Sequence, residues 1–184
     1  SEWESAELAI ASIDKVKNFN IKTNEFKHSK AHEIYWDIII IDEAHDSVNE
    51  HPFKGNVNLE KLENLIKVYG AKKIPYISLA TSVNMAGGQP ISMENLRALR
   101  KLTDLHNIKI IHDMTRVAEN AYFIQLREKG YQNKSIKTIV KEICSLTDGA
   151  TMSAKKDALV NIGGFLAIND KALYEEASNI VVVY

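Results

Sequence analysis

Residues 108–116 read IKIIHDMTR. An apolar run of strand length stops at His112, and an acid and an arginine follow it at once. Short apolar runs bounded by polar residues read as strands, so residues 108–112 are assigned one, with Asp113 and Arg116 just past its end. Upstream lies MENLRALRKLTDLH, which Ser92 can cap and in which Leu96, Leu99, Leu102 and Leu105 recur at helical spacing. Before that, IPYISLA (74–80) reads as a strand, and LEKLENLIKVY as a helix capped by Asn58 with Gly70 just past its end. DIIIID (37–42) and ELAIAS (7–12) read as further strands, the first buried on both faces. Downstream, ENAYFIQLREKG and SIKTIVKEICSLT have helical period, GATMS and GGFLAIN (163–169) are strands, KALYEEASN is a helix, and the final NIVVVY is strand-like. Strands alternating with helices predict an α/β fold: a three-layer, mostly parallel sheet with helices on both faces.

The bulk numbers suit such a fold. The 184 residues are 45% hydrophobic and 26% charged, with a formal net charge of −1. That balance gives no electrostatic support for nucleic-acid binding. A single cysteine, Cys144, excludes an internal disulfide and points to a reducing compartment. It falls on the apolar face of a helix and reads as core; Tyr122 and Phe123 likewise read as packing residues. No apolar run approaches membrane-span length, and a cytoplasmic protein is expected. His28 and His32, four apart, with His45 and His51 beyond, read as surface histidines rather than a zinc site. The first residue is not Met, and the apolar run at the other end has no turn after it, so the chain is expected to be a piece of a longer one.

Open parallel sheets bind ligands just beyond the carboxyl ends of their strands. Three polar clusters stand there: Asn84 after residues 74–80, Asp113 and Arg116 after 108–112, and Ser153, Lys155 and Lys156 after GATMS. A lysine beside another cation has a lowered pKa and becomes an amine nucleophile. An aspartate at a neighbouring strand end can keep the ring nitrogen of pyridoxal phosphate (PLP) protonated, which makes the ring an electron sink. Ser153 can bind a phosphate and Asn84 a phenolic oxygen. A solvated Lys-Lys-Asp turn and an Asp that merely caps a helix would leave the same letters.

A rival reading comes from WDIIIIDEAHDS (36–47). With LAIASIDKVK (8–17) before it, this resembles the region through the second motif of superfamily-two helicases, where Asp42 would hold Mg²⁺ and Glu43 would orient water. A helicase also needs a G-x-x-x-x-G-K-[ST] phosphate loop. None of the glycines begins one, and GYQNKS (130–135) lacks the second glycine.

Four further stretches, NMAGGQPISMENLRAL, ENAYFI, TMSAKKDALVNIGGF and VVVY, strongly resemble the β-eliminating lyases, PLP enzymes of the aspartate-aminotransferase fold. The resemblance runs from about Asp42 to Tyr184. GYQNKSI, LVNIGGFLAIND and VVVY look more like the family's tyrosine enzyme, SAKKDA more like its tryptophan enzyme. The resemblance implies a partial PLP-binding large domain over 42–184, with residues 1–41 a poorly assigned segment. Lys156 would attach the cofactor covalently, and Asp113 would pair with its ring nitrogen. Asn84 and Arg116 would contact its phenolic oxygen, and Ser153 and Lys155 its phosphate. Asn161 would offer a backbone carbonyl to a monovalent cation, K⁺ in this family. The implied reaction is β-elimination of an aromatic amino acid, tyrosine to phenol, pyruvate and ammonia in preference to tryptophan to indole, in a homo-oligomer. Phe19 and Phe26 are imperfect matches for the aromatic that stacks on the cofactor. The phosphate loop, the small C-terminal domain and the tyrosine that protonates the leaving group are expected outside this chain, so weak PLP binding and no full catalytic cycle are expected of it alone. A helicase fragment and a non-catalytic α/β domain are the alternatives.

Overall fold

The computed structural model describes residues 39–40, 51–82 and 87–183. Five strands form one sheet in the order β1-β2-β3-β4-β5: Ile39–Ile40, Tyr76–Ala80, Lys109–Asp113, Gly149–Ser153 and Gly164–Ile168. The first four are parallel, and β5 runs antiparallel beside β4. Among the described residues, five α-helices accompany them: α1 Leu59–Tyr69, α2 Met93–His106, α3 Val117–Arg127, α4 Ile136–Ser145 and α5 Lys171–Val183. Consecutive parallel strands joined through helices require crossovers, and crossovers of one hand stack their helices on one face. Ile77, Leu79 and Ile110 project to that face and are buried with Leu62 and Ile66 of α1, Leu96 and Leu99 of α2, Ala121 and Ile124 of α3, and Ile139 and Ile143 of α4. Lys109, Ile111 and Asp113 alternate to the other face. There α5 begins, its first turn capped by Asp170, whose carboxylate accepts the Leu173 N–H and pairs with Lys109 at 2.8 Å. The sheet thus carries helix on both sides.

The predicted caps are in place. Asn58 Oδ1 accepts the Lys61 N–H at 3.0 Å, and Gly70 ends α1 with φ 82, a left-handed conformation that favours glycine. Ser92 Oγ accepts the Asn95 N–H at 3.1 Å at the start of α2. The Glu128 carboxylate takes the next two donors there, the N–H groups of Met93 and Glu94, at 2.7 and 2.9 Å. Ser92→Ala should lower stability by about 1 kcal/mol in a denaturant melt. An unchanged midpoint would mean that Glu128 alone satisfies that helix end.

Several expectations fail locally. Leu105 is 81% exposed, although Leu96 and Leu99 are buried. A spacing of three falls short of a full turn by about 60° each time, so three steps carry Leu105 to the opposite face. The NIVVVY run, expected as a strand, is helical through Val183. A short apolar run is compatible with either state, and a helix already started at Asp170 continues through it. Tyr122 is 53% exposed rather than packed, and Cys144 is half-buried, its thiol pushed up by that burial. Residues 7–12, Phe19, Phe26, His28, His32, Asp42, Glu43 and His45 lie outside the described residues, as does any test of burial in the 37–42 strand.

Candidate functional site

Three parallel strands end side by side. The register sets Ala80 opposite Asp113 and Asp113 opposite Thr151, so the segments after β2, β3 and β4 leave the sheet at one edge. Thr81 and Ser82 follow β2, both buried. Asp113 ends β3 and Arg116 opens α3. Ser153 ends β4, and Lys155 and Lys156 follow it. Asn161 lies on the same side of the sheet, because antiparallel β5 starts there, with Gly164 paired to Ser153. A Cβ at Gly164 would collide with the Met152 carbonyl oxygen, so the close β4–β5 approach under the lysines requires glycine. Asn84 falls in residues 83–86, outside the described residues.

Hydrogen bonds join these ends. The Met114 N–H donates to the Thr151 carbonyl at 2.9 Å, extending the β3–β4 ladder by one step. The Ser153 N–H donates to Thr115 Oγ1 at 3.0 Å. The Asp157 N–H donates to the Thr115 carbonyl at 3.4 Å, and Asp157 Oδ2 accepts the Ala118 N–H at 2.8 Å. That last bond caps α3, because the residue in the cap position, Arg116, makes no side-chain cap bond of its own. On the other seam, the Thr81 N–H donates to the Asp113 carbonyl at 3.2 Å, while Thr81 Oγ1 lies 2.7 Å from His112 Nε2.

Polar capacity remains at this edge. Asp113 Oδ1 accepts the Thr115 N–H at 3.1 Å, which leaves Oδ2 without a hydrogen-bond partner among the described residues. Arg116 is half-buried; Lys155, Lys156 and Asn161 are exposed. Ser82 Oγ is buried with no partner among the described residues, and so is His112 Nδ1. Burial among the apolar side chains of the helix-covered face pushes the His112 imidazole down to about 4, so it is neutral near pH 7. The start of α2 is not available to an outside anion, since Glu128 occupies its N–H groups. Among the described residues there is no cluster of three or more His, Cys, Asp or Glu that could hold a metal, and no helix long and apolar enough to cross a membrane.

The structure therefore places Asp113 and Ser153 at neighbouring strand ends, with Arg116, Lys155 and Lys156 in the segments that follow them. Thr81, His112, Thr115 and Asp157, which hold these ends, were missed. Two left a readable trace. Asp113-Met114-Thr115 is an Asx-turn pattern, and Asp157 is an acid directly after a lysine pair. Thr81 and His112 left none, because their contact depends on strand register.

Comparison with known proteins gives one family. The model of the β-eliminating lyases matches residues 9–181. It extends well before residue 42, and all of the helicase-like text but Leu8 falls inside it. A tyrosine phenol-lyase of Nostoc punctiforme is 63% identical over 146 residues, 79% of this chain and 31% of that protein. A tyrosine phenol-lyase of Clostridium tetani is 55% identical over 167 residues, 91% of this chain and 36% of its own length. The chain thus spans about a third of the length of the curated relatives it matches. One solved structure from Listeria monocytogenes, named for a proposed L-allo-threonine aldolase, overlays on 51% of this chain and 23% of its own. Its TM-score of 0.41 and identity of 23% are too distant to add to the assignment.

Proposed function

This chain belongs to the β-eliminating lyase family, and from that premise we propose that it is the cofactor-binding core of a PLP-dependent carbon–carbon lyase that acts on tyrosine. The observation that carries the proposal is the placement at the carboxyl ends of β3 and β4: an acid ends β3, a guanidinium opens α3, a hydroxyl ends β4, and two primary amines follow it on the β4–β5 turn. The chemistry of this donor set fits PLP. A cationic ring nitrogen calls for a carboxylate oxygen, and Asp113 Oδ2 has no hydrogen-bond partner among the described residues. An aldehyde calls for a primary amine, and the exposed lysine pair supplies it. A phosphate calls for cations and hydroxyls, which Lys155 and Ser153 offer.

PLP, once bound, supplies an electron sink for charge developing at the substrate's α-carbon. The residues would do the rest. Asp113 holds the proton on the ring nitrogen, and Arg116, with Asn84, donates to the ring's phenolic oxygen. Ser153 and Lys155 anchor the phosphate. Lys156 would hold the cofactor through Nζ, and Lys156 or a nearby base would take the α-proton. Asn161 lends its main-chain carbonyl to a monovalent cation such as K⁺. Phenol, pyruvate and ammonia are the products from tyrosine. The working form is a cytoplasmic homo-oligomer, with residues 42–184 forming part of its large domain and the small domain supplied by further chain. The tyrosine preference is supported by the names of the relatives and by GYQNKSI, LVNIGGFLAIND and VVVY. The DEAH words lie inside the family match, which favours the lyase reading over the helicase one.

Assayed as the full-length protein with PLP and K⁺, phenol release from L-tyrosine should exceed indole release from L-tryptophan. The reverse order would contradict the tyrosine assignment but leave the lyase assignment intact. Loss of both activities on adding a PLP-trapping hydroxylamine is expected, and full activity without PLP would contradict the cofactor reading.

A further inference from the structure

The turn 154–163 between β4 and β5 carries both lysines and closes largely on itself. The Ala154 N–H donates to the Gly163 carbonyl at 2.9 Å, the Leu159 N–H to the Lys156 carbonyl at 2.9 Å, and the Val160 N–H to the Ala154 carbonyl at 3.1 Å. Packing does not hold it: Leu159 is 89% exposed and Ile162 87%. Among the described residues, its hydrogen bonds to other elements of the fold all run through Asp157. The main chain of that residue reaches Thr115, and its carboxylate reaches the Ala118 N–H in the first turn of α3. A carboxylate on a helix N-terminal amide makes a charge-assisted bond, favoured also by the helix dipole.

Asp157, the residue next to Lys156, therefore ties the turn to the helix that opens at Arg116. We propose that Asp157 is a positioning residue: its bond to the Ala118 N–H latches the lysine turn to α3, so that the Lys156 amine and the Arg116 guanidinium reach one bound molecule together. This rests on the reading of Lys156 as the residue that attaches PLP. A plain helix cap would make the same bond, so the test must read the lysine and not only stability.

The full-length protein, stripped of its cofactor, is mixed with PLP, borohydride is added at timed intervals, and the pyridoxyl-bearing lysine is identified by peptide mass. Removing a hydrogen bond to a charged group is worth roughly tenfold or more. Asp157→Ala should therefore slow fixation at Lys156 about tenfold and spread the label to Lys155. Asp157→Asn keeps an acceptor oxygen and should recover most of the rate. Ala118→Pro deletes the donor while leaving Asp157 in place, in a first turn where proline is tolerated. It should reproduce the slow fixation, and it serves as the second test should Asp157→Ala not fold. Fixation at Lys156 at the original rate in a folded Asp157→Ala or Ala118→Pro chain would overturn the latch alone. No label on Lys156 in the unsubstituted chain would remove the cofactor reading and the latch with it.

Discussion

In the full-length protein, Lys156→Ala is expected to abolish covalent retention of PLP, so that the cofactor washes out on desalting and borohydride fixes none at the β4–β5 turn. The variant is a sharp one because Lys155 remains. The two amines are adjacent in sequence, both exposed, and carried on the same turn. If charge alone drew the cofactor to this edge, Lys155 would serve in its neighbour's place and retention would fall only slightly. The account assigns them different tasks, attachment for Lys156 and phosphate contact for Lys155. Lys155→Ala should thus weaken PLP binding by roughly tenfold, the worth of one hydrogen bond to a charged group, and leave the label on Lys156. Equal effects of the two substitutions, measured by absorbance titration and peptide mapping, would dissolve that division of labour.

The second large effect concerns stability. His112 sits fully buried on the helix-covered face, with Nε2 against Thr81 Oγ1 and Nδ1 unpartnered among the described residues. Burial lowers its pKa from 6.5 to about 4, and the neighbouring Asp113 charge opposes this only in part. Above pH 6.5 the imidazole is neutral in both folded and unfolded chains, and its protonation costs nothing. Between 6.5 and 4 the unfolded chain binds a proton that the folded chain refuses, so stability falls with pH through that window and levels off below it. The expected loss is about 3 kcal/mol. Urea melts at a series of pH values should show it, and His112→Phe should flatten the slope even if it lowers stability overall by leaving Thr81 Oγ1 unpaired. An identical slope in that variant would place the titration elsewhere.

Much of the fold was legible because local signals agreed with one another. Asn58, Ser92 and Gly70 punctuate helices for reasons internal to a few residues, and strands of apolar residues between such helices leave few arrangements. Where the local signal was degenerate, reading failed. A leucine every third residue looks helical but drifts around the axis, which exposes Leu105. NIVVVY satisfies strand and helix alike, and the helix begun at Asp170 decides it. The site divides in the same way. The placement of Asp113, Arg116, Ser153, Lys155 and Lys156 at or just past strand ends could be read because strand ends are predictable places and these side chains carry recognisable chemistry. The groups that hold them could not, because a Thr81–His112 contact exists only once β2 and β3 are in register, and Asp157 reaches α3 only once β4 lies beside β3. The family resemblance supplied which lysine of the pair to choose, a choice that spacing alone leaves open.

The central claim is that the carboxyl edge of β2–β4 holds PLP with its aldehyde on Lys156. The direct measurement is to load the full-length protein with PLP, reduce with borohydride, digest, and locate the pyridoxyl mass. The account predicts a single labelled peptide spanning Lys155 and Lys156, with fragmentation placing the group on Lys156. A label on any other lysine, or none above that of an unfolded control, would contradict it.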